Sequence, residues 1–177
     1  MAKALFLGLP LHGHTNPSLP LVRALVERGE EIVYWSGEAF AGRIVDAGAR
    51  FRPYRNGFLA DMPALSDRTQ ELAWLLMRTT AEVLEQELPD FRQEQPDYVI
   101  ADSVAPWGQW VGQMLRLPAV TSTTTFAVNR HVLAFGASSG ARPKSARLVI
   151  SKLRHVAKAA LLRRRLRRRY GVSGTGI

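Results

Sequence analysis

Apolar and polar positions along this chain switch between two periods, and the switches outline an α/β protein. Ala4 to Leu9 is an almost unbroken apolar run, the mark of a strand buried on both faces. From Pro17 to Arg28 the period becomes helical: Leu19, Val22, Leu25 and Val26 share one side, while Arg23, Glu27 and Arg28 take the other. Gly29 stands where a helix C-cap is expected. Glu31 to Ser36 is a β-branched and aromatic strand, Glu38 to Asp46 a short helix ended by Gly48, and Arg50 to Tyr54 a third strand. The order β-α-β-α-β predicts a doubly wound parallel sheet with helices on both faces.

The pattern breaks from Arg55 to Asp67, where Asn56, Gly57, Pro63 and Ser66 mark a loop that also holds Phe58, Leu59, Met62 and Leu65. A long helix is predicted from Arg68 to about Glu87, burying Leu72, Leu75, Leu76, Thr79, Val83 and Leu84, with Pro89 and Pro96 bracketing its end. Asp97 to Ala101 forms a fourth strand that ends at Asp102. A helix opened by Pro106 runs to Leu117-Pro118, and a fifth strand starts at Ala119 and continues through Ser122 to Thr125. Residues 136 to 145 read as a loop. The last helix spans Lys144 to Tyr170, with Leu148, Val149, Leu153, Val156, Ala160 and Leu166 as its inner stripe, and Val172 to Ile177 shows no pattern.

Composition narrows the classes. At 177 residues, 46% hydrophobic and 22% charged, the chain can bury a real core as one domain. Without cysteine it can hold neither a disulfide scaffold nor a thiolate metal site. No stretch approaches the roughly 18 apolar residues of a membrane span. The opening apolar run stops at His12-Gly13-His14 with no small-residue cleavage site, which argues against a signal peptide. Charge is divided sharply: up to Asp102 the net charge is −5, and after it lie 14 Lys and Arg with no acid. Such a division suits an acidic partner, nucleic acid or anionic lipid, or a piece whose compensating charges lie elsewhere.

Candidate chemistry gathers at residues 12–17, between the first strand and the first helix. Asn16 is a good N-cap and Pro17 fits a first helical position. Loops at the carboxyl ends of parallel strands are where such folds place their sites. A histidine there, beside helix N–H groups that favour anions, can take a proton next to a bound phosphate. No GxGxxG, GxxxxGK[ST] or GxSxG is present, against dinucleotide, P-loop and α/β-hydrolase readings. His12-x-His14 also suits a metal-dependent hydrolase, but His131 and His155 are poorly placed to complete a ligand set.

Taken together, HGHTNPSLPLVRALVERG after the first strand, then EIVYWS and EAFAGRIVDAGARFRPY, resemble the amino-terminal half of GT-B glycosyltransferases. The nearest likeness is to the bacterial macrolide-type, UDP-sugar-dependent enzymes. PDYVIADSVAPWG, LPAVTSTTTF and LRRRYGV follow in the same order. The resemblance implies a Rossmann-like acceptor-binding domain over residues 1–172, lacking its last strand, with 173–177 as an unstructured end. It implies inverting transfer of a sugar to a hydroxyl, with His14 as base and Asp102 holding its tautomer, and His12 shaping the loop. Trp107, Thr123, Phe126, Phe58 and Met62 are the acceptor-pocket candidates for a small aromatic or macrolide-like compound, while Trp110 and Met114 read as the inner face of a helix.

Family members are roughly twice this long, and their second domain holds the nucleotide-sugar. The expectations are therefore that the UDP-sugar donor is held by a second domain or chain, and that this chain itself carries no cofactor or metal site. Alone it should show negligible transfer, and an exposed interdomain face should make it sticky or dimeric. A cytoplasmic location is expected. The contrasting reading is a non-catalytic fragment, or a protein that binds nucleic acid or an anionic surface through Arg163 to Arg169.

Overall fold

Side chains alternate across a strand, so odd and even positions of the central strand face different helices. The structure, a computed structural model, describes residues 1–55, 72–124 and 146–172, without the side chains of 72, 73 and 146–153. Its elements are β1 (Lys3–Leu7), α1 (His12–Glu27), β2 (Glu31–Ser36), a 3₁₀ turn (Glu38–Phe40), α2 (Ala41–Asp46), β3 (Arg50–Pro53) and α3 (Leu72–Gln93). They continue with β4 (Tyr98–Asp102), α4 (Pro106–Leu115), β5 (Ala119–Ser122) and α5 (Ala146–Tyr170). The strands form one parallel sheet in the order β3-β2-β1-β4-β5. It is the Rossmann-like, doubly wound α/β arrangement expected of the amino-terminal half of a GT-B enzyme.

Ala4 and Phe6 of β1 join Ile32, Tyr34 and Ile100 on one face, covered by Val22 of α1 and Ile44 of α2. Phe6 and Tyr34 stack with ring centroids 4.3 Å apart. Leu5 and Leu7 join Val33, Trp35 and Val99 on the other face, beneath Val83, Leu84 and Phe91 of α3, Trp107 and Val111 of α4, and Leu166 of α5. α4 lies especially close to the sheet. A Cβ on Gly108 would stand 2.5 Å from Ala101 Cβ, so that position has to be glycine for β4 and α4 to pack as they do.

The amino rim of the sheet is tied by charge. Glu94, just past α3, accepts from Arg52 at 3.1 Å and from both terminal nitrogens of Arg50, and Lys3 Nζ lies 3.6 Å from its carboxylate. The Arg50 guanidinium, reinforced by Arg52, holds the Glu94 carboxyl below its ordinary value despite partial burial.

Two helix limits and one inner stripe differ from those expected. α1 begins one turn early, at His12, because the Leu11 carbonyl accepts from the N–H groups of His14 and Thr15 at 3.0 and 2.8 Å. Asn16 is therefore not an N-cap; its Oδ1 accepts from Arg43 at 2.9 Å, and Pro17 lies inside the helix. α3 continues through Pro89 to Gln93, since Leu88 and Phe91 on either side are buried and Phe91 meets Trp35 edge-on at 5.0 Å. Packing there outweighs the single helical bond that proline removes. On α5 the inner stripe is Ala159, Leu162, Leu166 and Tyr170, while Val156 and Ala160 face outward. Helical spacing admitted both stripes, and contact with α3 selects this one. Leu148, Val149 and Leu153 fall among side chains outside the described set.

Two measurements test this account. Gly108→Ala should cost about 1–3 kcal/mol in urea unfolding, through displacement of α4 from β4. Because the folded pKa of Glu94 is lowered, its contribution is present above the unfolded carboxylate value of about 4.3 and is lost as pH falls through the folded value. The stability gap between the native chain and Glu94→Gln should accordingly close as the pH is taken from about 5 toward about 3.

Candidate active site

β1 and β4 are adjacent, yet the chain leaves β1 toward one edge of the sheet and β4 toward the other. Their carboxyl ends frame the crevice where open α/β sheets receive ligands. Leu7 pairs with Ala101, so Gly8 stands level with Asp102 at the rim. Asp102 shares parity with Ile100, whose side chain faces α1, and this brings its carboxylate to the first turn of that helix.

There His14 Nδ1 lies 2.9 and 3.1 Å from the two Asp102 oxygens. Asp102 is nearly fully buried, and its Oδ1 also accepts from the Val104 N–H at 2.8 Å. The His14 side chain keeps 13% of its surface exposed, enough to meet a ligand at the rim. An ionised carboxylate only accepts hydrogen bonds, so the neutral imidazole carries its hydrogen on Nδ1 and its lone pair on Nε2. Such a pair can remove a proton from a hydroxyl, with the Asp102 carboxylate stabilising the imidazolium that forms.

A buried network fixes the turn that carries His14. Ser18 Oγ donates to the Thr15 carbonyl at 2.7 Å and accepts from the Tyr34 hydroxyl at 2.8 Å. Burial pushes the Tyr34 phenol up to about 12, keeping it a neutral donor. Tyr34 can reach across only because residue 8 has no side chain: a Cβ there would lie 2.7 Å from the Tyr34 oxygen.

Thr124, which sequence reasoning missed, also belongs here, its Oγ1 lying 3.0 Å from His14 Nδ1. Asp102 is in register with Ser122, and the period of two carries that face on to residue 124. The expected Thr123, one place earlier, is exposed beside it. Trp107 must be corrected from an acceptor contact to a core residue. It has no exposed surface, meets the Tyr54 ring edge-on, and donates from Nε1 to the Tyr54 hydroxyl at 3.0 Å. Trp110 is buried and Met114 packs against the same core. His12 turns away from His14 and meets the edge of Phe40 at 5.0 Å, with Arg43 beside it. Among the described residues no three His, Asp or Glu converge as a metal site. Phe58, Met62 and Phe126 lie outside the described residues.

The tautomer can be measured directly. Nitrogen NMR of the 177-residue chain should show the neutral His14 ring in the Nδ1–H form. Asp102→Ala should release it toward the Nε2–H form, whereas Thr124→Val should retain Nδ1–H. A native chain already in the Nε2–H form would contradict the assigned geometry.

Comparisons with known proteins agree with this fold and crevice, although no protein-family model matches the chain. Demethyllactenocin mycarosyltransferase of Streptomyces fradiae is 35% identical over 147 residues, covering 74% of this chain and 31% of that protein. The uncharacterised UDP-glucosyltransferase YojK of Bacillus subtilis is 30% identical over 134 residues, covering 73% of this chain and 33% of its own length. Among solved structures, the calicheamicin glycosyltransferase CalG4 superposes with a TM-score of 0.74 at 26% identity, over 99% of this chain and 42% of that one. SsfS6 of Streptomyces sp. SF2575, solved with thymidine diphosphate, shares the fold with a TM-score of 0.59 at 18% identity, over 78% of this chain and 43% of its own. The chain thus spans about a third of the length of the curated relatives it matches. It belongs to the macrolide and natural-product family of GT-B glycosyltransferases, of which it represents the amino-terminal domain.

Proposed function

We propose that this domain receives a hydroxyl-bearing acceptor and activates it for inverting sugar transfer from a nucleoside-diphosphate sugar. The observation that carries the reading is the Asp102 carboxylate bound to His14 Nδ1 at the rim of the β1/β4 crevice. An alcohol is a weak nucleophile while it holds its proton. In the proposed step His14 Nε2 takes that proton as the acceptor oxygen attacks the anomeric carbon. The bond from that carbon to the diphosphate breaks, and its electron pair leaves on the phosphate oxygen. Asp102 stabilises the imidazolium as it forms, and Thr124 offers its oxygen to the same Nδ1–H.

The donor is a nucleotide-sugar bound outside this domain; relatives named as UDP- and NDP-glycosyltransferases, and the thymidine diphosphate in SsfS6, support that ligand class. The acceptor is a small, largely apolar hydroxyl compound, in keeping with the mycarosyltransferase and calicheamicin relatives. Thr123, together with Phe58, Met62 and Phe126, remains proposed for its contact.

In a polypeptide joining this chain to a nucleotide-sugar-binding domain, His14→Ala should lower kcat by about 10²- to 10⁴-fold, the usual range for a general base. Acceptor affinity should stay nearly unchanged. Asp102→Asn should also lower kcat, because the amide no longer favours one tautomer. Unaltered turnover in His14→Ala would remove the histidine from the mechanism.

A further inference from the structure

Away from the crevice, α5 carries ten Lys and Arg and no acid. Ala159, Leu162, Leu166 and Tyr170 turn its inner side toward the core. Beside that stripe the half-buried Arg163 and Arg167 and the exposed Arg164 and Arg168, with Ala160 and the buried Val172, line a concavity of about 580 Å³ that no carboxylate lines. Spacings of four, Arg163 with Arg167 and Arg164 with Arg168, and of three, Arg164 with Arg167, make neighbours of these guanidinium groups along the helix. Like charges gathered in this way repel one another, and a phosphate relieves the repulsion while accepting paired N–H bonds from each arginine fork.

Two aliphatic side chains of the same helix are exposed as well. Val156 and Leu161 are 56% and 58% exposed, among the few large apolar residues the fold leaves in water. An interfacial helix sets Lys and Arg against anionic headgroups and buries aliphatic side chains at the acyl boundary, and α5 offers both kinds of group outside the core. Proteins that hold nucleic-acid strands instead add exposed aromatic platforms for the bases. The aromatic ring near these arginines, Tyr170, is half-buried and already lies under the Arg169 guanidinium at 5.4 Å. Among the described residues no helix is long and apolar enough to cross a membrane, so any lipid contact made through α5 is peripheral.

We propose that the outer face of α5 is a docking surface for an anionic phospholipid bilayer, its arginines holding headgroup phosphates while Val156 and Leu161 enter the acyl boundary. The inference is independent of the glycosyl-transfer reading. It is tested by sedimenting the 177-residue chain with vesicles of phosphatidylcholine alone, or with a third of the lipid replaced by phosphatidylglycerol. Binding is expected only to the anionic vesicles and should fall as salt is raised. Arg164→Gln with Arg168→Gln should weaken it about thirtyfold, whereas the same charge removed from the exposed Arg23 of α1 and Arg28 just past its end should cost less than about threefold. Val156→Ser with Leu161→Ser should weaken vesicle binding and leave any retention of a single-stranded RNA oligonucleotide unchanged. Equal losses from the two arginine pairs, or vesicle binding indifferent to the serine pair, would overturn the proposal. So would tighter binding to the RNA than to the vesicles at matched salt.

Discussion

The contact between His14 and Asp102 imposes conditions on most of the fold. One partner stands in the first turn after β1 and the other ends β4, 88 residues later, so the pair exists only because those strands are neighbours at the point where the sheet reverses its winding. Parity must also be right, since a slip of one residue in β4 would carry the carboxylate to the face occupied by α3 and α4. Gly8 makes room for Tyr34, Tyr34 bonds Ser18, and Ser18 bonds the carbonyl of Thr15, so the turn bearing the imidazole is held from beneath. A side chain located by buried hydrogen bonds and by strand register, as the proposed base His14 is, needs little rearrangement to meet a ligand.

Much of this was legible in the order of the residues. Two-period patterning marks all five strands, and the rim position of His14 and Asp102 follows from where β1 and β4 end. What escaped were choices made by tertiary packing. Pro89 reads as a helix terminator until Leu88 and Phe91 are seen buried on both sides of it. Asn16 and Pro17 read as a cap and a first residue, but the Leu11 carbonyl had already closed a turn upstream. Trp107 looked like a pocket wall because it follows Asp102 closely, and yet the proximity of α4 to β4 at Gly108 leaves its indole no outward path. Thr124 was within reach of the same argument: counting by twos from Ser122 selects it over Thr123.

The unequal distribution of charge acquires a structural meaning as well. Acids of the first part of the chain are spent on local ties, as in Glu94 with Arg50 and Arg52, and Asp90 with Arg55. Glu85 of α3 reaches Arg169 of α5 at 3.2 Å, a contact between the acidic and basic parts. Arg163, Arg164, Arg167 and Arg168 of α5 gather instead around a concavity that no carboxylate lines.

Glu94 and its cations grip the edge of the sheet opposite the crevice. The domain is thereby fastened at one end and furnished at the other. Loops at the furnished end can therefore change in length and composition without touching the ion pairs of the clasp, so the two ends of the sheet are mechanically separable.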